Sequence, residues 1–319
     1  MSIPNTELIK IVLPHQNTTF VGDIKLNYFL KVSGFTFIKN ALKYDYPIVE
    51  AITSILPICD EFVIAVGESE DGTLDLIKQI DSDKIRIIET QWDESLREGG
   101  KVLAIETNKA FSAVSEDSDW AFYIQGDEVI HEDYLSEIQA AMELHKDNKT
   151  VDGLLFNYLH FYGSTDYVGS ADNWYPQEIR IIRNDPTIYS YKDAQGFRKG
   201  NNEKLRVKPI EAYVYHYGWV KEPKAMQRKQ VDFNKLWHDD HWIEKNIAKS
   251  DEFDYMNGVN SLYRFTKSHP SVMKNRILSN HWKFNYDISF NKRSLKARIK
   301  GFFKKYLGWD LGHNNYIKV

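Results

Sequence analysis

The segment EFVIAVGESEDGTLDLIKQI (residues 61–80) contains one full turn of an alternation that runs through the first half of the chain. Residues 61–67 form a short apolar run of strand length. An acidic, glycine-containing turn follows, and 71–80 leads from that turn into a helix. Working outward, VSGFTFI (32–38) reads as the preceding strand, and PIVEAITSIL (47–56) as a helix opened by proline, with Ile48, Ile52 and Ile55 on one face. On the other side, KIRIIET (84–90) is a strand, GKVLAIETNKAFSAV (100–114) a helix and DWAFYIQ (119–125) a fourth strand. Strands that alternate with helices imply parallel pairing through crossover helices. The expectation is therefore an α/β, Rossmann-like, mostly parallel sheet covered by helices on both faces.

The composition agrees with an ordinary folded protein. The chain has 319 residues, 42% of them hydrophobic, and a net charge of −4, which argues against a uniformly basic nucleic-acid binder. Cys59 is the single cysteine, which excludes an intramolecular disulfide and fits a reducing compartment; we place it in the core. The opening MSIPNTELIKIVLPHQ lacks the basic and apolar regions of a signal peptide, and no run approaches the length of a spanning helix. A cytoplasmic location is the expectation. After residue 150 the rhythm changes: VDGLLFNYLHFYG (151–163), EIRIIRN (178–184) and IEAYVYHYGWV (210–220) read as strands without long helices between them, whereas 222–247 and 252–267 read as charged helices. We divide the chain into a domain over 1–220, with halves at about 32–135 and 136–220, and a helical region over 221–319.

In YIQGDEVI (123–130) two carboxylates end the fourth strand, where ligands bind in sheets of this kind. Three readings are open. Asp127 or Asp133 caps the helix that follows; the pair holds a hard cation such as Mn²⁺ or Mg²⁺; or a carboxylate moves a proton.

The loop GESEDGT (67–73), with FTFIKN (35–40) and FYIQGDEVI (122–130), resembles the nucleotide-sugar half of GT-A fold glycosyltransferases, in particular inverting family 2. That family has a loop D-G-S-x-D-G-T after the second strand and D-x-D after the fourth. Ser69, Asp71, Gly72 and Thr73 match the loop, and Asp127 falls in the D-x-D region. The chain departs from the pattern at Val66 and Gly67, which stand in place of acidic residues beside Glu68, and at Gln125, which takes the first position of D-x-D. The resemblance implies a GT-A-like fold and transfer of a sugar from a nucleotide diphosphate, UDP being the commonest, to a hydroxyl of a glycan or lipid-linked acceptor. It implies donor contacts at Phe37, Lys39, Asn40, Glu68, Ser69, Asp71, Gly100, Asn108, Gln125 and Gly126, with Asp127 and Glu128 as ligands of Mn²⁺ or Mg²⁺. HYGWVK (216–221) looks like the H-x-x-G-x-x-K element of retaining GT-A enzymes, one residue short, which would make His216 a metal ligand and Lys221 a diphosphate contact. For the base that deprotonates the acceptor, Glu178 is the first candidate and Asp193 the second; Trp174 and Trp219 are candidate sugar platforms.

Two other classes remain open. His238 and His241 in LWHDDHWIEK, three apart, would share a helix face and with His216 make a metal-dependent phosphoester hydrolase. A non-catalytic nucleotide- or carbohydrate-binding module is the other. FNKRSLKARIKGFFKK (290–305) carries seven basic and no acidic residues, with Leu295, Ile299, Phe302 and Phe303 on one helical face. It suits either peripheral contact with the inner face of an anionic membrane or packing on the acidic body of the same chain.

Overall fold

The computed structural model describes residues 30–93, 95–96, 99–170, 174–247, 250–257, 259, 261–289 and 315–319. The basic segment 290–305 lies outside the described residues, so its two readings stay as expectations.

The alternation is realised element by element. β1 (Val32–Ile38), α1 (Ile48–Ile55), β2 (Glu61–Gly67), α2 (Thr73–Lys78), β3 (Ile85–Thr90), α3 (Lys101–Ser112) and β4 (Trp120–Tyr123) follow one another, and the strands lie side by side in the order β3-β2-β1-β4, all parallel. In β2, Phe62 to Gly67 are all buried, as a strand covered on both faces requires. Pro47 stands at the N-cap of α1, and Ile48, Ile52 and Ile55 form its buried face.

β5 (Glu128–Ile130), α4 (Leu135–His145), β6 (Gly153–Tyr162), β7 (Ser164–Gly169) and β8 (Gln177–Arg183) come next. β8 lies between β4 and β6 and is antiparallel to both. β9 (Ile188–Tyr191), β10 (Gly196–Lys199) and β11 (Glu203–Lys204) make a separate three-stranded antiparallel sheet. The long β12 (Arg206–Trp219) then runs parallel to β6 and antiparallel to β5. α5 (Pro223–Asn234), α6 (Asp240–Asn246), β13 (Leu262–Arg264), α7 (Lys274–Ser279) and β14 (Ile317–Lys318) complete the described chain, with β13 on the edge of β7 and β14 on β12. The parallel first half and the antiparallel strand that joins it to the second give a mixed α/β sheet of Rossmann-like type.

One core joins α1, α2 and α4 to one face of the sheet through Ile52, Phe62, Trp120 and Phe156. The other face carries α3 and the three-stranded sheet through Phe35, Phe111, Tyr123 and Phe197. Each such side chain contributes about 2 kcal/mol on burial. Cys59 is buried in the first core. Among the described residues no helix is long and apolar enough to cross a membrane.

Two helix expectations are corrected. Residues 222–247 hold two helices rather than one, because Asp239 leaves helical geometry and its carboxylate caps α6 at Trp242 N. Within 252–267 there is no helix among the described residues; β13 there completes the open edge of β7, pairing Leu262 with Gly169 and Arg264 with Tyr167.

Candidate active site

A crevice of about 880 Å³ opens where β1 and β4 end, and β12 and α5 wall its far side. Phe37, Lys39 and Asn40 reach it from β1, and Gln125, Gly126 and Asp127 from the turn after β4. Asp193, His216 and Trp219 also line it. Lys229, Phe233 and Trp237, on or just beyond α5, form a wall that the sequence reading missed. Their spacing of four residues was the available signal, since it puts an ammonium and two aromatic rings on one helix face.

Asp127 is the centre of this wall-to-wall arrangement. Its backbone carbonyl accepts from Tyr217 N at 2.8 Å, which fixes the turn to β12. Oδ2 lies 3.2 Å from Lys229 Nζ, and Oδ1 lies 3.7 Å from His216 Nε2. Burial pushes this carboxyl upward, but the charges of Lys229, of His216 once acid protonates it, and of Lys221 outweigh it and bring the pKa down to about 2. The tight fit needs Gly218, where a Cβ would stand 2.6 Å from Asp127 Oδ2. These contacts correct the helix-cap reading: the single turn after β5 is capped by His131, and α4 has no side-chain cap.

The imidazole beside Asp127 has a fixed tautomer. His160 Nε2 donates to the carbonyl of Tyr175 at 2.8 Å, so in neutral His160 the Nδ1 is an acceptor. That atom faces His216 Nδ1 at 3.3 Å, which must then be the donor. Burial lowers both histidines, His160 to about 3, so both are neutral at pH 7. His216 therefore aims the lone pair of Nε2 at an ionised carboxylate oxygen. Two acceptors that converge in this way fit a divalent cation. Among the described residues no group of three or more His, Cys, Asp or Glu side chains is arranged to hold a metal ion. Any cation here would take its remaining oxygens from water or from a bound phosphate, as Mg²⁺ and Mn²⁺ commonly do.

Glu128 is turned the other way. It is fully buried rather than at the rim, and its carboxylate makes two bonds of 2.7 Å to Arg180. Tyr158 Oη donates to Oε1 at 2.7 Å and Gln125 N to Oε2 at 3.1 Å. With both oxygens engaged by Arg180, Tyr158 and Gln125, Glu128 braces the turn that carries Asp127. The signal was Arg180, a cation inside the apolar run of EIRIIRN, which asks for a buried partner.

Lys221 likewise lies outside the crevice, buried over the Tyr46 ring and donating to the carbonyl of Asp45. Burial, and then the charge of Lys229, lower it to about 7. The lysine that meets Asp127 is Lys229.

The loop residues mostly bind one another. Asp71 accepts from Thr73 N and Oγ1 with one oxygen and from Lys43 N with the other. Ser69 Oγ accepts from Asn40 N and donates to Gly67 O, and Asn40, at φ 54°, accepts from Glu70 N through its side chain. Glu68 is exposed and does not line the crevice. Asn108 Oδ1 accepts from Ser190 N, tying α3 to β9. Gly100, at φ 66°, packs so closely that a Cβ would stand 2.6 Å from Asp193 and 2.7 Å from Trp237.

The two candidate bases separate. Asp193 lines the crevice, its Oδ1 is buried without a partner, and burial raises its pKa. Glu178 is buried behind the crevice wall against Gly196, and burial pushes it up to about 7. Trp219 lines the crevice; Trp174 stacks on His160 behind it. His238 precedes α6 and stacks on Trp242, so it shares no helix face with His241, and the three-histidine hydrolase site is not assembled.

No protein-family profile matches the chain, and no curated protein matches it. Among solved structures, S. aureus TarS in complex with UDP aligns over 70% of this chain and 68% of its own, at 15% identity and a TM-score of 0.38. Against TarS 1-349 crystallised otherwise, the chain spans 64% of that length, with a TM-score of 0.35. Glucosyl-3-phosphoglycerate synthase from Mycobacterium tuberculosis, in complex with Mn²⁺, UDP and glucosyl-3-phosphoglycerate, aligns over 42% and 45% of the two chains, at 16% identity and a TM-score of 0.28. A 4-diphosphocytidyl-2C-methyl-D-erythritol synthase from Anaerococcus prevotii aligns over 64% and 95%, at 14% and 0.35. Superpositions this loose carry no inference about activity. The functional reading rests on the crevice.

Proposed function

We propose that this chain is a glycosyltransferase that moves a hexose from a nucleotide diphosphate donor to a hydroxyl of a glycan or lipid-linked acceptor. The observation that supports it most is the ionised Asp127, set between His216 Nε2 and the Lys229 ammonium at the strand ends of a crevice large enough for a nucleotide sugar. Phe37, Lys39, Asn40, Gln125 and Gly126 line the donor side. Lys229 offers a point charge to the diphosphate. Mn²⁺ or Mg²⁺, held by Asp127 Oδ1 and His216 Nε2, would neutralise charge on the departing diphosphate.

In the reaction the bond between the anomeric carbon and the phosphate oxygen breaks as the acceptor oxygen bonds to that carbon. Asp193 takes the acceptor proton, since of the two candidate carboxylates it is the one in the crevice. Its raised pKa favours holding that proton. We infer a place in glycan synthesis in the cytoplasm, with 290–305 either in contact with an anionic membrane surface or packed on the acidic body of the same chain.

The test is a thermal-shift screen of nucleotide diphosphate sugars with and without Mn²⁺, followed by an assay of nucleoside diphosphate release. A ligand at 100 times its Kd stabilises the native state by about 2.7 kcal/mol. One nucleotide sugar is expected to raise Tm only with Mn²⁺, and to turn over on adding acceptor. No shift with any donor, and no release, overturns the reading.

A further inference from the structure

Lys229 and a divalent cation make competing claims on one carboxylate. Lys229 Nζ lies 3.2 Å from Asp127 Oδ2, 3.1 Å from the carbonyl of Gly218, and 4.8 Å from the Tyr46 ring centre. Its side chain and that of Asp127 are 11% and 12% exposed, so water screens the pair poorly. The opposite carboxylate oxygen is the one that faces His216 Nε2. A cation bound there would sit beside an ammonium that already neutralises its ligand. Like charges a few ångströms apart repel several times more strongly where water screens them poorly than they do in bulk water, and a dication doubles the effect.

Two neighbouring acids are already engaged elsewhere. Glu128 is committed to Arg180, and Asp232 to Tyr44, Lys43 and Lys235. A diphosphate relieves the excess of positive charge, because it brings two or more negative charges. Lys229 can serve it from where it stands, since of the three donors of its ammonium the carbonyl of Gly218 and the side chain of Tyr46 take one each, and the one on Asp127 is free to turn to the diphosphate.

We propose that Lys229 is a built-in counter-ion: it keeps Asp127 from holding a divalent cation while the crevice lacks a donor, and passes its charge to the diphosphate when donor and cation enter together. This deepens the glycosyltransferase reading and rests on it. Metal and donor then bind as mutually dependent ligands, and linkage requires the coupling to be equal in both directions. Lys229 is charged throughout; what changes is its partner.

The experiment measures Mn²⁺ binding from the EPR signal of free Mn²⁺, without activity, for the wild type, Lys229→Gln and Lys229→Arg, each with and without UDP. Melting curves confirm folding, and Lys229→Met, which keeps the apolar stem, replaces Lys229→Gln should that variant not fold. Wild type is expected to bind Mn²⁺ at least about tenfold more tightly with UDP present. Lys229→Gln should bind Mn²⁺ alone at least about tenfold more tightly than wild type, and UDP should then add little. Lys229→Arg, which keeps the charge, should follow the wild type. Adding Asp127→Asn to Lys229→Gln should abolish the gain. Unchanged or weaker Mn²⁺ binding by folded Lys229→Gln overturns the proposal. Control of Mn²⁺ binding by Lys229 with no turnover of any nucleotide sugar would uphold the counter-ion and remove the transferase. Turnover with Mn²⁺ affinity indifferent to Lys229 would do the reverse.

Discussion

Burial raises the Asp193 carboxyl, whereas at Asp127 the same burial is outweighed by Lys229, by His216 once acid protonates it, and by Lys221. A carboxyl depressed in the folded state contributes stability above its unfolded pKa of 3.8, and that contribution is lost as pH falls toward 2. As an exposed rim residue, Asp127 would lose nothing in stability on becoming Asn. The ion pair reverses that expectation. Asp127→Asn should abolish Mn²⁺-dependent donor binding and also cost about 3 kcal/mol at neutral pH, because Lys229 is left buried without a counter-ion. Denaturant unfolding and calorimetric donor titration test both halves; full stability with normal binding would show that the pair does neither job. Asp127 was legible from its place after an apolar run. The partner of Glu128 was not, because a carboxylate at a strand end looks the same in sequence whether it faces solvent or an arginine four elements away.

At the scale of elements, the acidic loop after β2 is tied into the fold by its own carboxylate. Asp71 spends one oxygen on Thr73 N and Oγ1 at the start of α2 and the other on Lys43 N in the loop after β1. It therefore clamps two loops that end at the crevice. Asp71→Ala should lower stability by about 1 kcal/mol and leave the donor Kd nearly unchanged. A large loss of donor affinity at unchanged Tm would instead make Asp71 a donor contact. The strands and helices up to residue 125 were readable because each is a strong apolar run or a clear helical period bounded by glycine, proline or acid. β13 was not, because its three residues are set by the open edge of β7 and not by any local preference. α5 was visible as a helix, yet its inward face is polar enough to pass for a solvated one.

At the scale of the molecule, the chain end returns to the sheet. β14 pairs with β12 at Arg206 and Val207, and Arg198 of β10 donates to the backbone and side-chain oxygens of Asn315. No pattern in the last residues announces this, since the pairing depends on an edge that exists only after β12 has formed. Glu178 of β8 lies beneath the junction: a Cβ on Gly196 would stand 2.9 Å from its Oε1 and 3.0 Å from the Asn315 amide. Burial raises this carboxyl from 4.5 to about 7, despite the opposing charge of Arg180. Between those values the folded protein keeps a proton that the unfolded chain has released, so the stability this group contributes is complete below 4.5 and is lost as pH rises through 7. Glu178→Gln keeps the shape of the protonated side chain and cannot ionise. It should therefore raise Tm near about pH 8, with a gain that shrinks steadily toward about pH 5. Because Glu178 lies behind the crevice wall, donor affinity should hold at both values. Melting curves across that range, with donor titration at each end, test it. A gain independent of pH would mean that the glutamine merely packs better, and a loss at pH 8 would mean that the carboxylate is ionised and held by Arg180.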